Sequence, residues 1–422
     1  MPVWNVCGGN RLNGSVAVQG SKNAVLPIMA ASLIGGGVSR LTGCPHLRDV
    51  DASMEILREL GCGVMQNGGE IVIDSAGMCR NHIPHALMLK MRSSVMYMGA
   101  ILARAGDVRI STPGGCELGS RPIDLHLKAL RALGAVVTAQ GGEVICRAAR
   151  LRGAHINLDF PSVGATENVM LAACAAEGET VLTNAAREPE IQDLQAFLNA
   201  AGASVHGAGS AEIHICGFHA RPYVTHRVMP DRIAAATYLC AAAAAGGEVE
   251  LLHAVPAHLR TVCAALEEMG CTVQRGADHV RLRSGGALHA AHPVVTKPYP
   301  GFPTDAQALL MAASLRAAGT TVFIENIFEN RYRHVDELRR MGADVRVEGR
   351  VAMVSGVERL HGAPVTACDL RGGAALVIAG LSAEGETAVC DSGHIERGYD
   401  GLADALRALG ADVTRAEDAE EK

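Results

Sequence analysis

Residues 402–413 read LADALRALGADV, and this stretch shows how the rest of the chain is organised. Leu402, Leu406 and Leu409 stand at i, i+4 and i+7, which is one buried stripe of a helix. Gly410 fits a left-handed cap at the helix end, and Val413 begins a strand. The same succession recurs as LRELGCGV at 57–64, LRALGAVV at 130–137, LNAAGASV at 198–205, LEEMGCTV at 266–273 and LRRMGADV at 338–345. The glycines Gly61, Gly134, Gly202, Gly270, Gly342 and Gly410 are 73, 68, 68, 72 and 68 residues apart, so one structural unit is used six times.

A second helix belongs to each unit. GAILARAGDVRI, MLAACAAEGETVL, YLCAAAAAGGEVEL, LLMAASLRAAGTTVFI and ALVIAGLSAEGETAV each run from an Ala-rich segment through a Gly stop into a β-branched strand, and ASLIGGGVSRL is the first copy. With a hairpin such as VVTAQGGEVICRA, the unit reads βαβαββ. The sixth copy ends after one strand in GADVTRAEDAEEK, while the chain opens on a spare strand-like segment, VWNVC, so the N-terminus is expected to complete the last unit. The expected domains are therefore 21–229, and 1–20 together with 230–422. A solenoid of stacked repeats is the alternative, with an extended concave surface in place of a cleft.

At 422 residues and 49% apolar content the chain can fill one very large core or two or three domain cores, and two is the first expectation. Charged residues make up 19% and the formal net charge is −6, which gives no composition-wide signal for nucleic acid or an anionic membrane. One Trp and 3% aromatics leave little for base stacking. The opening MPVWNVCGGN lacks a basic segment followed by an apolar one, and the Ala-rich runs are interrupted well short of a membrane span, so a cytoplasmic protein is expected. Thirteen cysteines without a C-x-x-C pair suit a reducing compartment, and those in apolar surroundings, such as Cys174 and Cys240, read as core. No P-loop, G-x-G-x-x-G, H-E-x-x-H or Cys/His cluster occurs, so neither metal nor cofactor is expected.

The polar residues fall at two equivalent loops of the repeat. The loop before the Ala-rich helix reads GSKNA, KMRSS, DFPSVGAT, VMPDRIA, YPGFPTDAQ and DLRGGAA, and holds Lys22, Asn23, Arg92, Ser162, Gly164, Asp231, Arg232, Asp305, Asp369 and Arg371. The loop before the Gly-capped helix holds Arg48, Cys116, Arg121, Asp124, Arg187, Glu190, Arg331 and Arg397. Both lead into helix N-termini, whose unpaired N–H groups favour phosphate or carboxylate. If the halves face each other, Lys22, Arg92, Arg121, Arg371 and Arg397 form one cationic cleft; otherwise each Arg pairs with a nearby acid on a solvated surface. Cys116 lies in PGGCELGSRP, a Gly-rich turn with an Arg five residues on, a setting for a nucleophile or proton donor as well as for a tolerated loop cysteine. Asp305 in PTDAQ reads either as a helix N-cap or as a general base.

The strings GSKNA at 20–24, PGGCELGSRPIDLH at 113–126, FPSVGAT at 160–166, NAAREPEI at 184–191, FPTDAQ at 302–307, FENRYRHVDEL at 328–338, DLRGGAALV at 369–377 and HIERGYD at 394–400 resemble the UDP-N-acetylglucosamine 1-carboxyvinyltransferases along the whole chain. The resemblance implies two inside-out α/β barrels of three βαβαββ units each, with helices in the middle. It implies transfer of the enolpyruvyl group of phosphoenolpyruvate to the 3′-hydroxyl of UDP-N-acetylglucosamine, a step of peptidoglycan precursor synthesis that requires no cofactor and no obligate protein partner. By the same resemblance Lys22, Asn23, Arg121 and Arg397 hold phosphoenolpyruvate. Asn23, Arg92, Arg121, Pro122, Ile123, Asp124, Leu125, Ser162, Val163, Gly164, Asp305 and Ile327 hold the nucleotide sugar. Cys116 is the implied acid, the site of a covalent phosphoenolpyruvate adduct and the target of fosfomycin, and Asp305 the implied base; Arg48, Arg232, Asp369 and Arg371 support them. Many relatives have Lys where this chain has Arg48, and some have Lys in place of Phe160. The competing readings are a 3-phosphoshikimate 1-carboxyvinyltransferase and a catalytically silent UDP-N-acetylglucosamine-binding regulator.

Overall fold

A computed structural model describes residues 2–111 and 123–416. All six repeat glycines have positive φ, between 90° and 111°, a conformation that glycine adopts without the Cβ clash other residues meet. In the last copy Leu402, Leu406 and Leu409 are buried on the inner side of the helix Leu402–Ala408 and its cap, each contributing about 2 kcal/mol by leaving water.

The strands form six four-stranded sheets with one plan. One edge strand runs parallel to its neighbour, and an antiparallel hairpin completes the sheet with its second strand inside. His155–Asn157 thus pairs in parallel with Glu179–Thr183, which pairs antiparallel with Glu212–Phe218, with Ala203–His206 at the other edge. Val3–Cys7 lies between Glu386–Cys390 and Asp412–Ala416, so the N-terminal strand supplies the hairpin partner that the sixth repeat lacks.

Two opening strands are exchanged. Leu12–Ala17, which precedes the helix Lys22–Ala31 in sequence, pairs in parallel with Gly247–Leu252 of the fourth repeat. Tyr223–Arg227 in turn pairs in parallel with Val38–Thr42 of the first. The chain divides into two compact units between 19 and 20 and between 229 and 230. Among the described residues the terminal unit holds 2–19 and 230–416, and the middle unit 20–111 and 123–229.

In the terminal unit the helices Arg232–Ala245, Thr304–Ser314 and Leu370–Leu381 pack on one another and are buried on almost every side, which explains why they are Ala-rich rather than amphipathic. In the middle unit Tyr97–Ala105 packs on Val163–Ala173, and Lys22–Ala31 packs on Pro189–Ala201. The sheets lie outside these helices, their strands alternating buried and more exposed residues, as in Glu70–Asp74 and Val351–Ser355. Cys174 and Cys240 are buried. No helix among the described residues is long and apolar enough to cross a membrane.

Candidate active site

In the terminal unit the centre is Asp305. It does not cap its helix: Pro303 occupies that position, and Asp305 lies in the first turn of Thr304–Ser314. Its carboxylate is instead held by Arg331, with Nη2 2.7 Å from Oδ1, and by Arg371, with Nη2 3.5 Å from Oδ2. Arg331 also donates from Nε and Nη2 to the carbonyl of Thr304, at 3.2 and 3.0 Å, which locks the planar guanidinium onto the helix start. Both arginines are nearly fully buried, at 2% and 3% exposure, while Asp305 keeps 30% of its surface open. Pairing with nearby acids on a solvated surface therefore does not describe these arginines.

Arg371 follows Asp369, whose Oδ1 accepts from the N–H groups of Arg371 and Gly372 and so caps the helix Leu370–Leu381. Burial pushes the Asp369 pKa up, but the charge of Arg331 and these N–H groups together hold it below the usual carboxylate range. The Arg371 guanidinium lies 5.3 Å from the Tyr399 ring centroid, while its Nε and Nη1 have no hydrogen-bond partner among the described residues. His334 is fully buried, and its ring has only a weak contact with the Arg331 backbone carbonyl among the described residues. Burial, with Arg331 adding to it and Asp369 opposing, lowers the His334 pKa to about 4.

Two further acids, which sequence reasoning missed, order the neighbouring loops. Glu325 accepts from the N–H groups of Ile327 and Phe328 at 2.8 and 3.0 Å, and from Thr304 Oγ1 at 3.0 Å, so the Ile327 loop is tied to the start of the Asp305 helix. Asp391 accepts from the N–H groups of Gly393, His394 and Ile395, fixing the turn Ile395–Arg397 that carries Arg397. The Asp-Ser-Gly stretch at 391–393 is a turn signal that could have revealed the second. Asp231 caps the helix Arg232–Ala245 by accepting from the N–H groups of Ile233 and Ala234, and Arg232 places its guanidinium 5.6 Å from the Tyr299 ring centroid.

In the middle unit Lys22 opens the helix Lys22–Ala31, with Asn23 next to it, and its Nζ lies 2.7 Å from Asp49. Asp49 is buried in the first turn of Arg48–Glu59, directly after Arg48. A second group of expected residues gathers around His126. Asp124 and Leu125 open the helix Asp124–Ala132, directly after Ile123, and Arg92 begins the turn Arg92–Met96. Ser162 caps Val163–Ala173 by accepting from Ala165 N–H at 3.3 Å. A Cβ on Gly164 would lie 3.1 Å from the His126 ring. Burial lowers the His126 pKa to about 4, with Asp124 opposing and Arg92 adding to the shift. His126 ends the string PGGCELGSRPIDLH, but its polar role is visible only through this packing. Phe160 is 43% exposed near the start of the helix Val163–Ala173.

Cys116, Arg121 and Pro122 lie outside the described residues. Among the described residues no group of His, Cys, Asp and Glu could hold a metal ion.

The family model described as EPSP synthase (3-phosphoshikimate 1-carboxyvinyltransferase) matches residues 6–418. Among solved structures the chain is similar to the enolpyruvyl transferase NikO from Streptomyces tendae, with a TM-score of 0.89 and 26% identity over 98% of this chain and 99% of that one. It shares its fold with EPSP synthase from Acinetobacter baumannii at a TM-score of 0.73 and 21% identity, over 99% and 100% of the two chains. The sheets and buried helices are thus those of an enolpyruvyl transferase. The chain is 49% identical to UDP-N-acetylglucosamine 1-carboxyvinyltransferase 2 of Caldanaerobacter subterraneus subsp. tengcongensis, over 98% of this chain and 100% of that protein. It is 50% identical to UDP-N-acetylglucosamine 1-carboxyvinyltransferase 1 of Symbiobacterium thermophilum, over 97% and 94%. The chain belongs to the UDP-N-acetylglucosamine 1-carboxyvinyltransferase family.

Proposed function

We propose that the chain transfers the enolpyruvyl group of phosphoenolpyruvate to the 3′-hydroxyl of UDP-N-acetylglucosamine, releasing phosphate, in the synthesis of peptidoglycan precursors. The observation that carries this reading is Asp305, a partly open carboxylate that is not used as a helix cap and is aimed by two buried guanidinium groups. Cys116 protonates C3 of phosphoenolpyruvate, and the sugar hydroxyl gives its proton to Asp305 as its oxygen bonds to C2. The tetrahedral adduct then loses a proton from C3 and expels phosphate, leaving the enol ether. Lys22, Arg121 and Arg397 offset the charge of phosphate and carboxylate. Arg371 adds to the Asp305 centre a buried guanidinium that contacts Tyr399 and whose Nε and Nη1 have no partner among the described residues, donors suited to an anion. Asn23, Arg92, Arg121 to Leu125, Ser162 to Gly164 and Ile327 hold the nucleotide sugar, and Cys116 also carries a covalent phosphoenolpyruvate adduct.

The test is phosphate release from phosphoenolpyruvate with either acceptor. Turnover with UDP-N-acetylglucosamine is expected. Turnover with shikimate 3-phosphate alone would overturn the reading, and turnover with neither would favour a silent regulator. Fosfomycin is expected to add its mass to the Cys116 peptide and abolish turnover; labelling of another cysteine would remove Cys116 from its assigned role.

A further inference from the structure

Asn168 lies in the middle of the helix Val163–Ala173 and is fully buried. Its side-chain amide makes three hydrogen bonds to other segments. Oδ1 accepts from the N–H of Gly99 at 2.6 Å, and Nδ2 lies 3.1 Å from the carbonyl of Val95 and 2.7 Å from Nδ1 of His126. Gly99 N–H and Val95 C=O are the i and i−4 groups that one continuous α-helix would join to each other. The amide therefore ties the turn Arg92–Met96 to the helix Tyr97–Ala105 at their junction. Close approach makes this possible, because a Cβ on Gly99 would fall 2.4 Å from the Asn168 backbone oxygen.

The hydrogen-bond directions are fixed by the backbone. The Gly99 N–H can only donate and the Val95 carbonyl can only accept, so Oδ1 and Nδ2 cannot be interchanged. Nδ2 must then donate to His126, and Nδ1 of His126 must be the unprotonated nitrogen. The ring is held as the neutral tautomer with its proton on Nε2, beside Gly164. A protonated His126 would set one N–H against another, and burial likewise disfavours the cation.

We infer that Asn168 is a positioning residue for the nucleotide sugar, its one amide fixing Arg92, the Asp124–His126 turn and the Ser162–Gly164 helix start relative to one another. The inference rests on the proposal that these three segments bind UDP-N-acetylglucosamine. The charged groups acting on His126 are Asp124, on its own helix, and Arg92, on the facing turn.

Asn168→Asp tests it, because the new carboxylate keeps the bond from Gly99 and replaces the donor facing His126 and the Val95 carbonyl with an acceptor. The expected result is a KM for UDP-N-acetylglucosamine raised by about tenfold or more at pH 8, with the KM for phosphoenolpyruvate within twofold of wild type. As pH falls to 6, His126 of the variant takes up a proton and donates to the introduced carboxylate, so the nucleotide-sugar KM should fall again, a trend absent from wild type. A folded variant with wild-type KM for the nucleotide sugar at both pH values would overturn the inference. Nitrogen-15 NMR of histidine-labelled wild type reads the tautomer even if the variant fails to fold: an unprotonated Nδ1 is expected, and a proton on Nδ1 would overturn the inference. Titration of wild type with UDP-N-acetylglucosamine separates the two readings, since absence of binding would sink the functional proposal while leaving the tautomer result to stand by itself.

Discussion

Asn168 in the middle unit and Arg371 in the terminal unit are both buried, yet they are used in opposite ways. Asn168 makes three hydrogen bonds, two of them to backbone groups that need partners. Arg371 keeps Nε and Nη1 without a partner among the described residues. Burying an unsatisfied polar group costs roughly 1–3 kcal/mol, more if it is charged. A cost of that size is tolerated where function uses the donors, as in an anion site, whereas a satisfied network contributes rigidity. Substitutions around Asn168 should therefore show first in stability and substrate positioning, and substitutions around Arg371 in ligand binding.

The largest effect is expected at Asp305, whose two cations aim it without consuming it. Asp305→Asn should lower kcat by about 100-fold or more, the scale of a general base, and also lower the melting temperature, because the buried Arg331 and Arg371 lose their counter-charge. Retained kcat would remove Asp305 from the chemistry. Next is Gly99→Ala, which forces a methyl group against the Asn168 backbone; a loss of about 2–3 kcal/mol is expected from the urea midpoint. An unchanged midpoint would mean that the helix contact is looser than the comparison requires.

Acid should probe both regions together. His126 and His334 have folded pKa values of about 4, below the ordinary value of 6.5, so the unfolded chain binds their protons first. The stability each contributes is complete above about pH 6.5 and is lost as pH falls toward 4, about 2 kcal/mol per histidine by pH 5. His334→Phe should remove its share of the acid slope at small cost at pH 8, since only a weak contact of its ring with the Arg331 backbone is lost. His126→Phe should remove its share and also weaken UDP-N-acetylglucosamine binding. Equal behaviour of the two variants would erase the distinction between the regions. The smallest effect is expected for Arg371→Met, which should weaken phosphoenolpyruvate binding by about tenfold, or about 1.4 kcal/mol, without lowering the melting temperature. A lowered melting temperature would show that the guanidinium stabilises the unligated protein.

Much of this was legible beforehand because it is written in local pattern. Gly61 through Gly410 announced six helix ends, the Ala-rich runs announced helices without a solvated face, and VWNVC announced the strand that the sixth repeat lacks. The Asp305 stretch was ambiguous because a first-turn aspartate and a capping one look alike; the choice turned on Arg331, 26 residues away in sequence. His126 and Asn168 were passed over because each reads as an ordinary helix residue until packing brings it to the other.

By itself, then, the sequence determined the repeating βαβαββ unit, its sixfold use and the polar loops, since periodicity and glycine caps act over a few residues. Only the tertiary structure decided that Leu12–Ala17 joins the fourth repeat and Tyr223–Arg227 the first, that Arg331 rather than a cap bond holds Asp305, and that one amide joins three segments. A strand exposes the same N–H and C=O groups to either sheet, and a buried polar side chain is defined by partners far off in the chain. Those choices are made by packing, which local sequence does not record.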